Sequence, residues 1–206
     1  EIASVDQQPR SIRVARRRVD VPCVENIHLV DTDAKIGYFR LTNFQKSTPA
    51  EVEKALWALS RQGMHSLIID LRDNPGGLLP ASVEVADRFI DSGRILTTRG
   101  RNARENFDYS AHRANTWNVP LAVLIDRNSA SASEIFSGAT QFGLCLTTAK
   151  FYSPSGRAIS RNGVEPHLSV PPTYIAARPD ENGRLVTELE DDVLQRAIEH
   201  LAQPAH

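Results

Sequence analysis

Two uninterrupted apolar runs, SLIIDL at residues 66–71 and PLAVLID at 120–126, constrain the fold of this chain more than any other feature. A short run without alternating polar residues is typical of a strand that is buried on both faces, as in a parallel sheet covered by helices. A third strand is predicted at 35–41, where the sequence is KIGYFRL. Because segments with helical periodicity separate these strands, we expect an α/β fold with largely parallel core strands and flanking helices.

The helix after the strand at 35–41 carries clear end signals. Thr48, Pro49 and Glu51 form the pattern of an N-cap, a proline in the first turn and a capping-box glutamate. Gly63 is typical of the left-handed residue that ends a helix. The apolar residues between these signals recur at the helical period and predict one buried face, made of Val52, Ala55, Leu56 and Leu59.

The rest of the chain divides into further predicted elements. Apolar residues at helical spacing predict helices at about 80–90 and 190–202, and RILTT at 94–98 has the composition of a strand. Residues 99–118 are polar and irregular, and we expect a connecting loop there. The segment LCLTTAKFY at 144–152 again has strand composition.

Composition excludes several classes of function. With 24 Lys and Arg against 25 Asp and Glu, the chain has no overall field that would attract nucleic acid or an anionic membrane. The arginines of residues 10–18 are interleaved with apolar residues, which is typical of a strand with a solvated basic face. Cys23 and Cys145 are far apart and have no CxxC or Cys/His spacing, so neither a zinc site nor a disulfide framework is indicated. Nothing else in the sequence calls for a metal or a cofactor.

The sequence also bears on membrane insertion and export. No apolar run approaches membrane-spanning length. The first residues lack a basic segment followed by an apolar core, so we expect either a cytosolic protein or one whose signal has been removed.

The first candidate site is the turn that follows the strand at 66–71. In DLRDNPGG, Asn74 and Pro75 favour a turn, and Gly76 and Gly77 expose backbone amides that no side chain shields. Such amides can stabilise a developing negative charge, as in an oxyanion hole. The alternative is a plain tight turn before the next helix. Three charged residues are expected to brace the turn: Asp70, Arg72 and Asp73.

The second candidate site is RNSASASEIFSGA at 127–139, directly after the second apolar run. Its apolar residues predict a helix that begins near Ser131, so this serine would lie beside unpaired amides at the positive end of the helix dipole. The position favours an attacking alkoxide, and it selects Ser131 over Ser129, which precedes the helix, and over Ser133. Glu134 lies on the same helical face as Ser131. The alternative is that Ser131 and Glu134 form only a capping box.

Three segments follow one another along the chain, and their combination and order are more specific than any one of them: LIIDLRDNPGGLLPASVEVADRFID, then RNSASASEIFSGA, then LTTAKFYSPSGRAISRNGVEPHL. Together they resemble the carboxy-terminal processing proteases, also called tail-specific proteases, over roughly residues 19–202. The resemblance implies a core related to Clp protease and crotonase. It also implies an ATP-independent serine endopeptidase with a serine–lysine dyad, whose nucleophile would be Ser131.

The same resemblance implies further site residues. The oxyanion hole would use the amide of Ala132 and that of Gly76 or Gly77. Glu134 would support the start of the helix or the dyad. The substrates would be proteins or peptides with disordered carboxy termini.

Domain organisation and location also follow from the resemblance. Family members usually carry a PDZ domain before the core and are usually periplasmic or otherwise extracytoplasmic. We therefore expect residues 1–30 to be an N-terminal strand and linker, with a PDZ domain upstream or unseen, and residues 31–206 to be the protease core. A homo-oligomer is left open.

The chain departs from the family pattern at the general base. The family lysine is expected between Gln141 and Gly143, and it is not visible there. A serine hydroxyl without a base is a weak nucleophile. Three explanations are open: a lysine-bearing segment is missing from the sequence at this point, the segment is truly deleted and the chain is inactive, or Lys150 replaces it. The remaining lysines are Lys35, Lys46 and Lys54.

The sequence leaves room for other functions. A catalytically inactive, peptide-binding scaffold would keep the fold and lack the dyad lysine. Acyl-CoA chemistry on the related crotonase fold has no supporting feature beyond the fold. A Ser-His-Asp triad has little support, because no G-x-S-x-G elbow is present and the six histidines are scattered. His112 and His167 are the two histidines kept as candidates.

Overall fold

The computed structural model of the protein describes eight stretches of the chain, residues 21–99, 106–112, 116–140, 150–152, 164–170, 178–179, 185–186 and 191–203. The basic segment at 10–18 and most of the strand predicted at 144–152 lie outside the described residues.

Strands and helices alternate through most of the described chain. In order, they are β1 Val24–Asp31, β2 Ile36–Leu41, α1 Thr48–Ser60, β3 Ser66–Asp70, α2 Leu79–Ala86, β4 Arg94–Arg99, β5 Phe107–Ser110, β6 Leu121–Leu124, α3 Ala132–Thr140, β7 Lys150–Tyr152, β8 Arg178–Pro179, β9 Leu185–Val186 and α4 Asp192–Ala202.

The central sheet has the strand order β1-β2-β3-β6. Strands β2, β3 and β6 run parallel, with Tyr38 opposite Ile68 and Ile68 opposite Ala122. Strand β1 pairs antiparallel with β2. The predicted α/β fold is therefore confirmed, with a mixed sheet whose core strands are parallel. The expected domain boundary after residue 30 falls at the end of β1, and the domain division stays a prediction.

Two smaller sheets are antiparallel throughout. One has the strand order β5-β4-β7, and the other consists of the two-residue strands β8 and β9. The loop expected at 99–118 is therefore partly wrong, because β5 pairs with β4 and places Asp108 opposite Thr97. Its sequence FDYS alternates aromatic and polar residues over only four positions, which is too short a pattern to stand out from its polar surroundings.

Successive side chains of β2 and β3 point to opposite faces of the sheet, so their apolar residues are divided between two cores, one on each face. Helices α1, α2 and α3 cover one face and α4 covers the other. The first core contains Phe39, Leu41, Leu67 and Ile69, and the second contains Ile36, Tyr38 and Ile68.

Helix α1 buries its predicted face in the first core, where Val52, Ala55, Leu56 and Leu59 are all fully buried. Gly63 has a φ of +84°, so the left-handed stop is also confirmed. Helix α2 ends at Ala86 rather than near Ile90. The amides of Arg88 and Phe89 donate to carbonyls only three residues back, which tightens the last turn.

The capping prediction for α1 is wrong in detail. The helix begins at Thr48, and Ser47 is its N-cap without a side-chain capping bond. Glu51 Oε2 instead accepts hydrogen bonds from the backbone amides of Cys23 and Val24, at 2.8 and 3.3 Å. The start of β1 lies against the first turn of α1, so this carboxylate joins the strand to the helix.

Candidate active site

The parallel pairing of β3 and β6 brings the two candidate segments together. Neighbouring parallel strands end at the same edge of a sheet, so the turn at 71–77 and the loop at 125–131 meet there. Leu71 N–H donates to the Leu124 carbonyl at 2.9 Å, and Ala130 N–H donates to the Asn74 carbonyl at 3.1 Å. The turn and the serine loop are thus one hydrogen-bonded unit.

Ser131 lies immediately before α3 and is exposed. Its φ of +55° is in the left-handed region, which is uncommon for residues other than glycine and is often found at functional sites. No hydrogen bond within the described structure engages its hydroxyl. The structure therefore leaves this hydroxyl available at the start of a helix.

The capping box of Ser131 and Glu134, left open by the sequence as the alternative, is only half present at α3. Glu134 Oε2 accepts a hydrogen bond from Ser131 N–H at 2.7 Å, but the Ser131 hydroxyl makes no return bond within the described residues. Burial raises the pKa of Glu134, and the bond from the Ser131 amide offsets only part of this effect. Glu134 thus holds the backbone of Ser131 without occupying its side chain.

The two neighbouring serines are engaged elsewhere. Ser129 Oγ donates to the Leu71 carbonyl at 2.8 Å and lies 3.1 Å from Asp126 Oδ1. Ser133 is fully buried, and its hydroxyl donates to the Asn74 carbonyl at 2.9 Å. Of the three alternating serines, Ser131 is the one whose hydroxyl makes no hydrogen bond to a described residue.

Two backbone amides near Ser131 donate no hydrogen bond within the described structure, those of Ala132 and Gly77. Ala132 is the first residue of α3, where helical amides have no partner in the helix. By contrast, Gly76 N–H donates to Asn74 Oδ1 at 2.8 Å. Of the two glycines left open by the sequence, Gly77 therefore has the available amide.

Gly76 lies close against the serine loop. A Cβ built on Gly76 would lie 2.8 Å from Ala132 N and 2.9 Å from Ser131 Cβ. The φ of Gly76 is +99°, a conformation that L side chains rarely adopt. Both space and backbone conformation therefore require glycine here.

Asn74 organises the turn to an extent that sequence reasoning missed. It is fully buried, and its Nδ2 donates to the Leu41 carbonyl at 2.7 Å. Its Oδ1 accepts from Gly76, and its carbonyl oxygen accepts from Ala130 and Ser133. The only signal in the sequence is the preference of asparagine for turns in which its side chain bonds the backbone two residues on.

Charged side chains at the end of β3 brace the turn at 71–77, as predicted. Arg72 Nη2 lies 2.6 Å from Asp70 Oδ2 and 2.7 Å from Asp191 Oδ2, and Tyr38 donates to Asp70 Oδ2 at 2.9 Å. The hydrogen bond to Asp70 is the main reason why the pKa of Arg72 is raised above its ordinary value. Arg72 thus joins the end of β3 to the N-cap of α4.

Asp73 braces the outer side of the turn. Its Oδ1 accepts from Asn128 Nδ2 at 2.7 Å, and its backbone amide donates to Asp126 Oδ1 at 3.0 Å. The hydrogen bond from Asn128 and the nearby Arg40 guanidinium hold the pKa of Asp73 below its ordinary value.

The candidate bases lie as follows relative to Ser131. Within the described structure, neither His112 nor His167 is hydrogen-bonded to Ser131, and His112 Nδ1 lies 3.2 Å from Asp87 Oδ2 instead. Lys150 is the first residue of β7, opposite Arg99. The position between Gln141 and Gly143 lies outside the described residues.

A cavity of about 180 Å³ lies between β6 and α4, and Ile125 at the start of the serine loop is among the residues that line it. Its lining is largely apolar, with Arg196 and His200 on the α4 side, and it contains no residue of the turn or of 126–131. The described residues contain no group of three or more His, Cys, Asp or Glu that could hold a metal ion. None of the helices described is both long and apolar enough to cross a membrane.

A family model described as Peptidase family S41 matches residues 35–143, a span that includes both the turn and the serine loop. The chain belongs to peptidase family S41. The family consists of serine-type peptidases, so the resemblance read from the three segments is confirmed.

Curated relatives carry matching names. The chain is 33% identical over 195 residues to a carboxy-terminal-processing protease of Bartonella bacilliformis, a match that covers 79% of this chain and 44% of the relative. It is 30% identical over 169 residues to a chloroplastic C-terminal processing peptidase of Tetradesmus obliquus, covering 68% of this chain and 36% of the relative. The chain thus spans less than half the length of these relatives.

A solved structure shares the fold. The photosystem II D1 C-terminal processing protease superposes with a TM-score of 0.62 at 28% sequence identity, over 75% of this chain and 50% of that protein.

Proposed function

We propose that this chain is the protease core of an ATP-independent serine endopeptidase that cleaves proteins near unstructured carboxy termini. One observation carries the proposal: at the paired ends of β3 and β6, the hydroxyl of Ser131 and the backbone amides of Ala132 and Gly77 make no hydrogen bond to any described residue. Membership of family S41 supports peptide-bond hydrolysis, and the names of the relatives support action at carboxy termini.

Ser131 acts as the nucleophile. Its oxygen attacks the scissile carbonyl carbon while its proton passes to a general base, and the carbonyl oxygen becomes an oxyanion. When the tetrahedral intermediate collapses, the C–N bond breaks and the leaving amine takes the proton from the base. Water then hydrolyses the acyl-enzyme ester by the same steps and frees Ser131.

The amides of Ala132 and Gly77 hold the oxyanion. Preorganised N–H donors aimed at a developing charge are often the largest single contribution to acyl-transfer catalysis. Gly77 is preferred to Gly76 because the Gly76 amide already donates to Asn74 Oδ1. The positive end of the α3 dipole adds to the stabilisation. Glu134 supports the start of α3 through its bond to Ser131 N–H.

A neutral lysine serves as the general base, with its pKa lowered by burial. On the family resemblance it belongs between Gln141 and Gly143. The alignment with the B. bacilliformis relative runs over 195 residues but covers 79% of these 206, so part of the relative faces gaps in this chain. This supports a segment that the relative has and this sequence lacks. Lys150 is the alternative within the chain.

Location and organisation are proposed on the family resemblance alone. The protein acts in the periplasm or another extracytoplasmic compartment, and a PDZ domain precedes the core. Bacterial and chloroplast proteins among the relatives are compatible with this location.

The nucleophile is tested with Ser131→Ala. The substrate is a folded carrier protein with an unstructured carboxy-terminal tail, and cleavage is followed by intact mass. We expect Ser131→Ala to abolish cleavage while its far-ultraviolet circular dichroism and urea midpoint match those of the wild type. Retained cleavage would reject Ser131.

The base is tested in the same assay. Loss of activity in Lys150→Ala would identify Lys150 as the base, whereas retained activity would exclude it. Tail binding by the wild type without turnover would reject the peptidase and favour an inactive scaffold.

A further inference from the structure

We infer that Ser129 and Ser133 are positioning residues that fasten the serine loop and the first turn of α3 to the turn at 71–77, on either side of Ser131, and so set the spacing between the two oxyanion amides. The inference rests on the proposed function of Ser131. It assigns a role to the two serines of the SASAS pattern that the proposed reaction does not use.

The two anchoring bonds are arranged symmetrically around Ser131. Ser129 and Ser133 lie two residues before and two residues after it. Ser129 Oγ donates to the Leu71 carbonyl at 2.8 Å, and Ser133 Oγ donates to the Asn74 carbonyl at 2.9 Å. Both acceptors are backbone groups of the turn that follows β3. One hydroxyl therefore fixes the serine loop to this turn, and the other fixes the first turn of α3 to it.

The hydrogen bond from Ser133 is accepted by Asn74, the residue whose side chain also fixes the amide of Gly76. The carbonyl oxygen of Asn74 accepts the hydrogen bond from the Ser133 hydroxyl, and its Oδ1 accepts the hydrogen bond from the Gly76 amide. A shift of Asn74 would therefore move the peptide unit next to Gly77. Because a Cβ on Gly76 would lie within 3 Å of Ala132 N, small shifts at this contact change the geometry of both oxyanion donors.

The burial of Ser133 also points to this role. Its side chain is fully buried, in a helix whose Ile135 and Phe136 are also buried. A buried hydroxyl is unfavourable unless it is hydrogen-bonded, and alanine at this position would avoid that cost. What the hydroxyl adds over alanine is a directed bond to the turn.

Ser137 provides a matched control. It is also fully buried in α3, one turn beyond Ser133, and its hydroxyl donates to the Ser133 carbonyl at 2.9 Å within the same helix. Ser137→Ala removes the same chemical group from the same helix without touching the turn.

The test compares Ser129→Ala, Ser133→Ala and Ser137→Ala in the full chain, with an unstructured fluorogenic peptide as substrate. Misplacing reacting groups by about 1 Å can lower a rate a hundredfold. We expect kcat to fall roughly ten- to a hundredfold in Ser129→Ala and Ser133→Ala with KM unchanged, and to stay within about twofold of the wild type in Ser137→Ala. An unchanged kcat in Ser133→Ala, or an equal loss in Ser137→Ala, would overturn the inference.

A second readout separates this inference from the proposed function. Hydrogen exchange of the Ala130 amide, which donates to Asn74, is followed by nuclear magnetic resonance. Faster exchange in Ser133→Ala but not in Ser137→Ala would support the anchor even if the wild type cleaves no peptide. Exchange that is unchanged in Ser133→Ala would overturn the anchor whatever the activity.

Discussion

At the scale of single residues, Gly76 shows how a backbone position can be required by both conformation and space. Its φ is +99°, and a Cβ there would meet Ala130 O at 2.5 Å and Ala132 N at 2.8 Å. Gly63 has a similar φ of +84° but nothing within 4 Å of its Cβ position. A side chain at Gly63 would meet conformational strain alone, whereas a side chain at Gly76 would meet both strain and steric overlap.

Gly76→Ala is expected to destabilise the protein more than Gly63→Ala. Gly63→Ala should lower the free energy of unfolding by about 1–2 kcal/mol through left-handed strain alone. Gly76→Ala should lower it by about 1–3 kcal/mol more, since its methyl group overlaps the serine loop. Urea unfolding measures both values, and equal losses would show that the overlap is relieved. The folded fraction of Gly76→Ala should also fail to cleave the tail substrate.

The candidate site was predictable at some of these residues and not at others. The selection of Ser131 depends on where α3 begins, and apolar periodicity predicts that start. The choice between the Gly76 and Gly77 amides depends on the direction of the Asn74 side chain, about which a linear pattern carries no information. The anchoring bonds of Ser129 and Ser133 end on carbonyls 58 and 59 positions away, so they too required the structure.

At the scale of elements, α4 is attached to the sheet through Arg72. The guanidinium bonds the buried Asp70 and also Asp191, the N-cap of α4, whose side chain accepts from Leu194 N–H. Burial raises the pKa of Asp191, but the bonds from Arg72 and the helix amides outweigh it and hold the pKa below its ordinary value. An acid with a lowered folded pKa stabilises the fold above its unfolded pKa and loses that contribution as the pH falls.

Asp191→Asn is expected to weaken the acid dependence of stability. Asparagine is also a good N-cap, so the cap is kept and only the charge is lost. The variant should be less stable than the wild type by about 1 kcal/mol near pH 7, a value discounted for solvent exposure. This difference should shrink as the pH falls below about 4, the ordinary pKa of an aspartate, and through the lowered pKa of the folded state. Urea unfolding across this pH range measures it.

Asp192→Asn is the control, because it removes a neighbouring charge that makes no described contact with Arg72. An equal loss in Asp192→Asn would assign the effect to the helix dipole instead.

Element boundaries were predictable where periodicity alone decides them. The buried face of α1 and the positions of β3, β6 and α4 follow from local patterns. The role of Glu51 does not, because its partners at Cys23 and Val24 are 28 and 27 positions away. Strand β5 was missed for the same reason, since its pairing with β4 stabilises a segment whose own pattern is weak.

At the scale of the whole molecule, one sheet separates two cores of unequal size. Helices α1, α2 and α3 pack on one face, and α4 packs on the other through Ala197, which is 7% exposed. Strands β2, β3 and β6 contribute side chains to both cores, so we expect the two faces to unfold together. The ring centroids of the two tryptophans, Trp57 and Trp117, lie 5.0 Å apart in an edge-to-face arrangement. Trp57 belongs to α1 and Trp117 packs against the first core, so their fluorescence reports on the side away from α4.

Ala197→Glu tests this coupling between the two faces of the sheet. A buried carboxylate in the second core should lower the free energy of unfolding by about 3 kcal/mol or more. Gln195→Glu, an exposed change on the same helix, should stay within about 0.5 kcal/mol of the wild type. If the sheet joins the cores, urea midpoints from tryptophan fluorescence and from circular dichroism will fall together in Ala197→Glu. An unchanged fluorescence midpoint with an early loss of circular dichroism would instead mean that α4 detaches on its own.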